Sequence, residues 1–167
     1  MKNPIVKIHV RNLGVMTAEL YPDKAPKTVE NFVNLVKSDF YSGLIFHRVI
    51  AGFMIQGGGY DEAFEDKDTP SIRGEFRANG FAQNDLKHVR GVLSMARTSA
   101  PNSASSQFFV MHANAPHLDG QYAGFGMLTD GFEVLDQIAS AQTGRYGYFA
   151  DVPREPIVID RMELVEE

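Results

Sequence analysis

The sequence contains no cysteine, so neither disulfide bonds nor thiolate chemistry can contribute to its fold or function. It also has no apolar run close to the roughly 20 residues that a membrane-spanning helix needs. Residues 1–5 are too short and too polar to form the apolar stretch of a signal peptide. We therefore expect a cytoplasmic protein with no membrane partner.

Concentrated positive charge is also missing. The 167 residues carry a formal net charge of −5, and lysine and arginine form no cluster. Binding to a phosphate backbone depends on a dense basic footprint, so nucleic acid is not an expected partner. The sequence has neither a heptad pattern nor a long apolar surface stripe, which predicts a monomer.

The length is that of a single domain, which we place at residues 1–167. The 15 glycines and 8 prolines are spread along the chain and are not gathered in one linker. This distribution is typical of many short elements joined by turns. The sequence contains no internal repeat and no low-complexity tract.

Alternation of apolar and polar residues predicts eight short strands. They cover residues 5–10, 15–20, 45–50, 53–57, 91–96, 107–111, 122–128 and 157–165. Two other segments, 25–37 and 132–139, repeat apolar residues with helical spacing and predict helices. A mainly β domain of this kind is either a barrel or a sandwich, and composition alone leaves the two open.

Several predicted strands mix polar side chains with bulky apolar ones. Arg48 shares a period-two face with Phe46 in one strand, and Gln56 shares one with Met54 in the next. Further along the chain, Gln107 shares a face with Phe109. The pattern suggests a shallow apolar pocket with an arginine and glutamines on its rim, which could hold an apolar ring beside a carbonyl.

The blocks F-H-R-V, G-F-M-I-Q-G-G, G-V-L-S-M-A and S-Q-F-F-V follow one another between residues 46 and 110. In this order and spacing, the chain resembles the cyclophilin family of peptidyl-prolyl cis-trans isomerases, and the likeness extends over almost all of its length. The nearest pattern is the small single-domain bacterial cytoplasmic type. The resemblance implies a closed eight-stranded antiparallel β-barrel capped by two α-helices, and so favours the barrel over the sandwich.

The resemblance further implies an enzyme that accelerates rotation about X-Pro bonds and so assists protein folding. This rotation breaks amide resonance, at a barrier of roughly 18–20 kcal/mol, but it makes and cleaves no covalent bond. The enzyme needs only to bind the twisted amide better than either planar form, so no cofactor and no metal are expected. Proline-containing peptides and unfolded protein clients are the expected partners.

Arg48 is the predicted catalytic side chain. When the amide twists, the proline nitrogen regains its lone pair, and a permanently charged guanidinium can donate a hydrogen bond to it. The resemblance implies that Gln56 is the second catalytic residue, which orients Arg48 and the bound carbonyl.

The resemblance also implies a set of residues that hold the proline ring or align the peptide. These are Phe53, Met54, Gln107, Phe109 and Leu118. Ala96, Arg97 and Thr98 match the family segment whose main chain pairs with the residue before proline. Strand alternation alone would place Phe53 on the face opposite Met54, so the inclusion of Phe53 depends on the family match.

Two positions at the border of the pocket depart from the family pattern. His117 stands where many cyclophilins carry tryptophan, and Tyr122 where many carry histidine. We expect both side chains to contact the substrate. Because tryptophan at the first position accompanies tight cyclosporin binding in the family, we expect this chain to bind that drug only weakly.

The sequence offers less support for other functions. His112 and His117 have no third ligand at a metal-binding spacing, and the serines near them lack a nucleophile-elbow motif. Gly57, Gly58 and Gly59 are not followed by Lys-Ser/Thr, and we interpret them as a close-packed turn. The alternative that stays open is a non-catalytic module that binds proline-containing peptides on the same fold.

Overall fold

The computed structural model describes residues 3–165, which form one curled antiparallel sheet of eight strands, a separate two-stranded hairpin and two α-helices. In chain order the elements are β1 (Ile5–Val10), β2 (Gly14–Leu20), α1 (Pro26–Lys37), β3 (Arg48–Ile50), β4 (Met54–Gly57), β5 (Val92–Met95), β6 (Phe108–Met111), β7 (Gly124–Asp130), α2 (Phe132–Ala139), β8 (Thr143–Tyr146), β9 (Phe149–Pro153) and β10 (Ile159–Val165). The eight predicted strands and both predicted helices are confirmed, with ends shifted by at most three residues. Neither helix in the described residues has the length and apolarity to cross a bilayer.

The sheet runs in the order β10-β1-β2-β7-β5-β6-β4-β3, and all neighbouring strands are antiparallel. It forms a half-barrel, so the predicted closed barrel is a slight overstatement. Within residues 3–165 the end strands β10 and β3 do not pair. The two edges meet instead through a bridge between Ile45 and Val158, beside which Phe46 N–H donates to Ile157 O at 3.0 Å.

The core lies inside the curl of the sheet. Strict alternation in β1 and β2 buries every second residue, as expected for strands with one dry face. The fully buried Phe32 of α1 contacts the rings of Tyr41, Phe108 and Phe125, at centroid separations of 5.2, 5.5 and 5.0 Å. Truncation of such a phenylalanine typically costs about 3–5 kcal/mol, so this cluster is a main attachment of α1 to the sheet.

The hairpin β8–β9 was not predicted. Its residues are half-buried or exposed apart from the buried Val152 and Pro153, and glycine and polar residues interrupt the alternation that marks a strand. An isolated two-stranded hairpin is only marginally stable in water. Here aromatic contacts hold it on the domain, because Tyr146 stacks on Phe64 at 4.3 Å and Phe149 packs against Tyr60 at 5.2 Å.

Candidate active site

Strand pairing brings Arg48, Gln56 and Phe109 into one row across three strands. In the antiparallel register, Arg48 of β3 is opposite Gln56 of β4, and Gln56 is opposite Phe109 of β6. Side chains at directly opposed positions emerge on the same face, about 4.5–5.5 Å apart at Cβ. The register therefore assembles the site from segments that are distant in the sequence.

A series of hydrogen bonds orients the two predicted catalytic side chains. Arg48 Nη1 donates to Gln56 Oε1 at 3.3 Å, and Gln56 Nε2 donates to Gln107 Oε1 at 3.0 Å. Arg48 is exposed, and no carboxylate in residues 3–165 forms an ion pair with it. The described part of the chain thus leaves its charge without a counter-ion, and the guanidinium has further N–H donors to offer a ligand.

Arg48 and Gln56 lie on the rim of a pocket of about 130 Å³, which we call the ring pocket. Its lining consists of residues that the sequence analysis assigned to the site: Arg48, Phe53, Met54, Gln56, Ala96, Arg97, Phe109, Leu118 and Tyr122. Met54, Phe109 and Leu118 are 2, 5 and 8% exposed and form an apolar floor. The pocket can accept an apolar ring while a cation and an amide face the adjoining carbonyl.

Phe53 reaches the ring pocket from the turn between β3 and β4. The alternation that would place it opposite Met54 does not apply, because β4 begins only at Met54. The Phe53 ring stacks on His117 at a centroid distance of 5.9 Å and an interplanar angle of 28°. His117 lies in the 3-10 turn Pro116–Leu118 and does not line the ring pocket in the described structure, so it supports the Phe53 wall from the side.

A second recess of about 150 Å³ adjoins the ring pocket and shares Gln56, Ala96 and Arg97 with it. Thr98 and Gln107 line this second recess and not the ring pocket. Of the residues predicted to align the peptide, Thr98 and Gln107 thus lie in the second recess, whereas Ala96 and Arg97 line both depressions.

Ser103 also lines the second recess and was not predicted. Its Oγ accepts a hydrogen bond from Thr98 N–H at 2.9 Å and donates one to Ala100 O at 2.7 Å. These bonds fix the loop that carries Thr98. The density of serines in this segment is the signal in the sequence that marks this loop.

The Arg97 side chain has a structural role beyond the predicted main-chain contact. Its guanidinium carbon lies 4.7 Å from the ring centroids of both Phe76 and Tyr122. It also donates to Gln121 O at 2.7 Å and to Thr98 O at 2.9 Å. A cation between two aromatic faces is held by electrostatic attraction to both, so Arg97 braces the wall where the two depressions meet.

Phe109 is backed by a buried polar group that sequence reasoning missed. The His88 ring stacks on Phe109 at 6.0 Å, and its Nε2 and Nδ1 lie 2.8 Å from Ser94 Oγ and 3.2 Å from Asp119 Oδ1. Burial lowers the pKa of His88, although its hydrogen bond to Asp119 opposes this effect. No motif marks His88, because its partners come from three separate segments.

His47 immediately precedes Arg48 and is buried under the β8–β9 hairpin. Its ring packs edge-on against Tyr60 at 4.8 Å and Phe149 at 6.1 Å. Burial, together with the nearby charge of Arg48, lowers the pKa of His47 to about 4. His47 is therefore neutral near pH 7, and the positive charge at this end of β3 belongs to Arg48.

Comparison with known proteins identifies the family. Residues 5–164 match the family model described as cyclophilin type peptidyl-prolyl cis-trans isomerase/CLD. A peptidyl-prolyl cis-trans isomerase of Acinetobacter baylyi is 45% identical over 92% of this chain and 81% of its own length. Peptidyl-prolyl cis-trans isomerase B of Escherichia coli is 41% identical over 93% of this chain and 96% of its own length.

Comparison with a solved structure indicates the same family. The cyclophilin type peptidyl-prolyl cis-trans isomerase of Cryptosporidium parvum, crystallised in the presence of the dipeptide Ala-Pro, is 32% identical to this chain. The two superpose with a TM-score of 0.80 over 98% of this chain and 99% of the other. The fold is thus that of a prolyl isomerase. The chain belongs to the cyclophilin-type peptidyl-prolyl cis-trans isomerase family, which confirms the predicted family, fold class and enzyme class.

Proposed function

We propose that this isomerase acts on X-Pro bonds of unfolded or flexible chains and that Arg48 stabilises the twisted amide. The observation that carries the proposal is the position of the Arg48 guanidinium. It has no ion-pair partner in residues 3–165, it donates to Gln56 at 3.3 Å, and it stands on the rim of an apolar pocket. Folding assistance follows from faster equilibration of the two prolyl isomers.

The proposed mechanism depends on how the amide changes as it rotates. In either planar form the proline nitrogen shares its lone pair with the carbonyl, and it accepts a hydrogen bond poorly. At the perpendicular geometry the lone pair is localised, so a donor from Arg48 stabilises that geometry more than either ground state. Only such selective stabilisation accelerates the reaction. No proton is transferred, which suits a donor whose charge is permanent.

The expected magnitudes indicate that Arg48 and the ring pocket both contribute to stabilisation of the transition state. One preorganised donor typically supplies about 2.7–4 kcal/mol of transition-state stabilisation. Since about 1.4 kcal/mol corresponds to one decade in rate, Arg48 accounts for roughly two to three decades. Burial of the ring against the apolar floor and fixation of the carbonyl supply the remainder.

The two depressions suggest how the peptide lies. The proline ring enters the ring pocket against Met54, Phe109 and Leu118, and the preceding residue follows the main chain of residues 96–98 toward the second recess. Gln107 aligns the peptide there. Its Oε1 accepts a hydrogen bond from Gln56 Nε2, and this bond fixes the orientation of the Gln107 side chain. The Ala-Pro dipeptide used with the Cryptosporidium relative is the smallest probe of this arrangement.

Exchange NMR on a short Ala-Pro peptide tests the proposal. Arg48→Ala should slow the catalysed exchange by at least about two decades, and Arg48→Lys should recover only part of it because the fork of donors is lost. Arg161→Ala is the matched control, since Arg161 lies on β10 and its contact is with Glu163 at 3.6 Å. A near-normal rate for Arg48→Ala would refute the assignment.

The same experiment distinguishes the enzyme from a non-catalytic binding module. Such a module would bind the peptide saturably but would not accelerate exchange, with or without Arg48. Acceleration by a catalytic amount of the wild-type protein excludes it. Retention of peptide binding by Arg48→Ala, together with loss of acceleration, is the pattern that the proposal requires.

We further propose a monomer with weak affinity for cyclosporin. In residues 3–165 the large apolar side chains that are exposed are Val89, Tyr146 and Tyr148, which is too little surface for a stable interface of standard size. Sedimentation should therefore give the mass of one chain. Titration with cyclosporin should give weaker binding than His117→Trp does, and the cytoplasmic location stays a prediction from the sequence.

A further inference from the structure

The turn between β3 and β4, which carries Phe53 into the ring pocket, is held from outside by His112. Gly52 N–H donates to His112 Nδ1 at 2.8 Å, and His112 N–H donates to Phe53 O at 2.9 Å. Gly52 has φ of +79°, a left-handed conformation that glycine adopts at no steric cost. His112 thus fixes two adjacent residues of the turn, one through its ring and one through its main chain.

These hydrogen bonds define the protonation state of the His112 ring. A nitrogen that accepts an N–H must carry a lone pair, so Nδ1 is unprotonated and the ring proton is on Nε2. Nε2 lies 3.0 Å from Asp136 Oδ1 and donates to it. With the proton on Nδ1 instead, two donors would face each other at Gly52, and Nε2 would offer no proton to the carboxylate.

Asp136 is in turn held by Arg90. Arg90 Nη1 and Nη2 donate to the two carboxylate oxygens at 2.8 and 2.9 Å, and Nη1 also donates to His112 O at 3.1 Å. The hydrogen bond from Arg90 lowers the pKa of the Asp136 carboxyl, and the one from His112 adds to this effect. The carboxylate therefore stays an acceptor, and α2 is connected through it to the turn that carries Phe53.

We propose that His112 is a positioning residue for the ring pocket, which acts by holding the Gly52–Phe53 turn so that the Phe53 ring forms one wall. Asp136 and Arg90 act through His112 by keeping its proton on Nε2. The inference rests on the proposed binding of the proline ring against Phe53. His112 itself touches no substrate in this arrangement, so its loss weakens peptide binding and leaves the rotation step to Arg48.

Two variants separate the two hydrogen bonds of the ring. In His112→Asn the amide Oδ1 occupies a position close to Nδ1 and can still accept from Gly52 N–H. In His112→Gln the amide reaches the position of Nε2 and can contact Asp136, but Gly52 loses its acceptor. We expect His112→Gln to raise the dissociation constant of an Ala-Pro peptide by about three- to tenfold, and His112→Asn by less than about twofold. The exchange rate of the bound peptide, also measured by NMR, should be unchanged in both.

The control is His9→Gln, which makes the same substitution in a histidine–carboxylate pair on β1, where His9 Nε2 lies 2.7 Å from Glu163 Oε1. It should not change peptide affinity. A second measurement needs no variant, because the imidazole nitrogen shifts of the wild-type protein report the tautomer directly. They should show a protonated Nε2 and an unprotonated Nδ1 for His112, and the Gly52 amide resonance should move further in His112→Gln than in His112→Asn.

The outcomes distinguish this inference from the proposed function. If Phe53→Ala leaves peptide affinity unchanged, the placement of the proline ring is wrong. If Phe53→Ala weakens binding while His112→Gln does not, or if both His112 variants weaken it equally, the positioning role alone is overturned. A proton found on Nδ1 overturns it as well. In the Phe53→Ala background, His112→Gln should produce no further loss, since the wall that it positions is gone.

Discussion

Gln56 connects Arg48 to Gln107, and its replacement by leucine tests whether the orientation of Arg48 limits catalysis. Leucine fills a similar space but can neither accept from Arg48 nor donate to Gln107. The variant therefore keeps the positive charge and removes the two hydrogen bonds of 3.3 and 3.0 Å that orient it.

The expected loss follows from the geometry of the first of these bonds. Hydrogen bonds to charged groups contribute about 1.5–3 kcal/mol. The bond from Arg48 to Gln56 is long, at 3.3 Å, and exposed to solvent, so the lower value applies. About 1.5 kcal/mol corresponds to a roughly tenfold slower catalysed exchange, which is less than the loss expected for Arg48→Ala because the charge remains.

The assay is exchange NMR on the Ala-Pro peptide, with Gln56→Leu measured alone and in the Arg48→Ala background. In that background the substitution should slow exchange by less than about twofold, since no guanidinium is left to orient. A tenfold loss in both backgrounds would refute the reasoning, and so would an unchanged rate in the single variant. Urea unfolding at neutral pH confirms that any loss does not come from unfolding.

Three further predictions concern stability and binding. Glu75→Ala should lower the free energy of unfolding, measured by urea titration, by at least about 3 kcal/mol. The buried carboxylate of Glu75 accepts hydrogen bonds from the N–H and the hydroxyl of Thr28 in the first turn of α1. The control Glu30→Ala, at an exposed position, should change the free energy of unfolding little. Folding lowers the pKa of His47 to about 4, so the unfolded chain binds one more proton between pH 6.5 and 4. Stability should fall by about 3 kcal/mol across that range relative to His47→Phe, and parallel curves for the two proteins would contradict this. Phe109→Ala should weaken peptide binding by at least about tenfold in an NMR titration, and a change confined to the bound exchange rate would argue against its place in the floor.

Prediction succeeded where the residues that decide a structure are close together in the sequence. Alternation in β1 and β2 and the helical spacing in α1 are local patterns, and the structure follows them to within one residue at each end. The family blocks carried the prediction further, because they marked Phe53 for the ring pocket against the evidence of strand alternation. That alternation was misleading only because residue 53 belongs to a turn.

Prediction failed where distant segments decide the outcome. The β8–β9 hairpin has little alternation of its own and is held by Tyr60 and Phe64, which precede it by some 80 residues. His88 supports the site through Ser94, Phe109 and Asp119, which come from three separate segments. The expected contact of His117 with substrate also stays a prediction, since the structure places its ring against Phe53.

The sequence by itself determined the type of protein, because the order of short blocks, the absence of cysteine and the scattered turn residues are all read along one dimension. Only the tertiary structure decided how the sheet closes, which side chains share the ring pocket and which nitrogen of His112 carries the proton. Those features depend on strand register and on hydrogen bonds between segments far apart in the chain, and the geometry of such contacts is set only when the whole domain has packed.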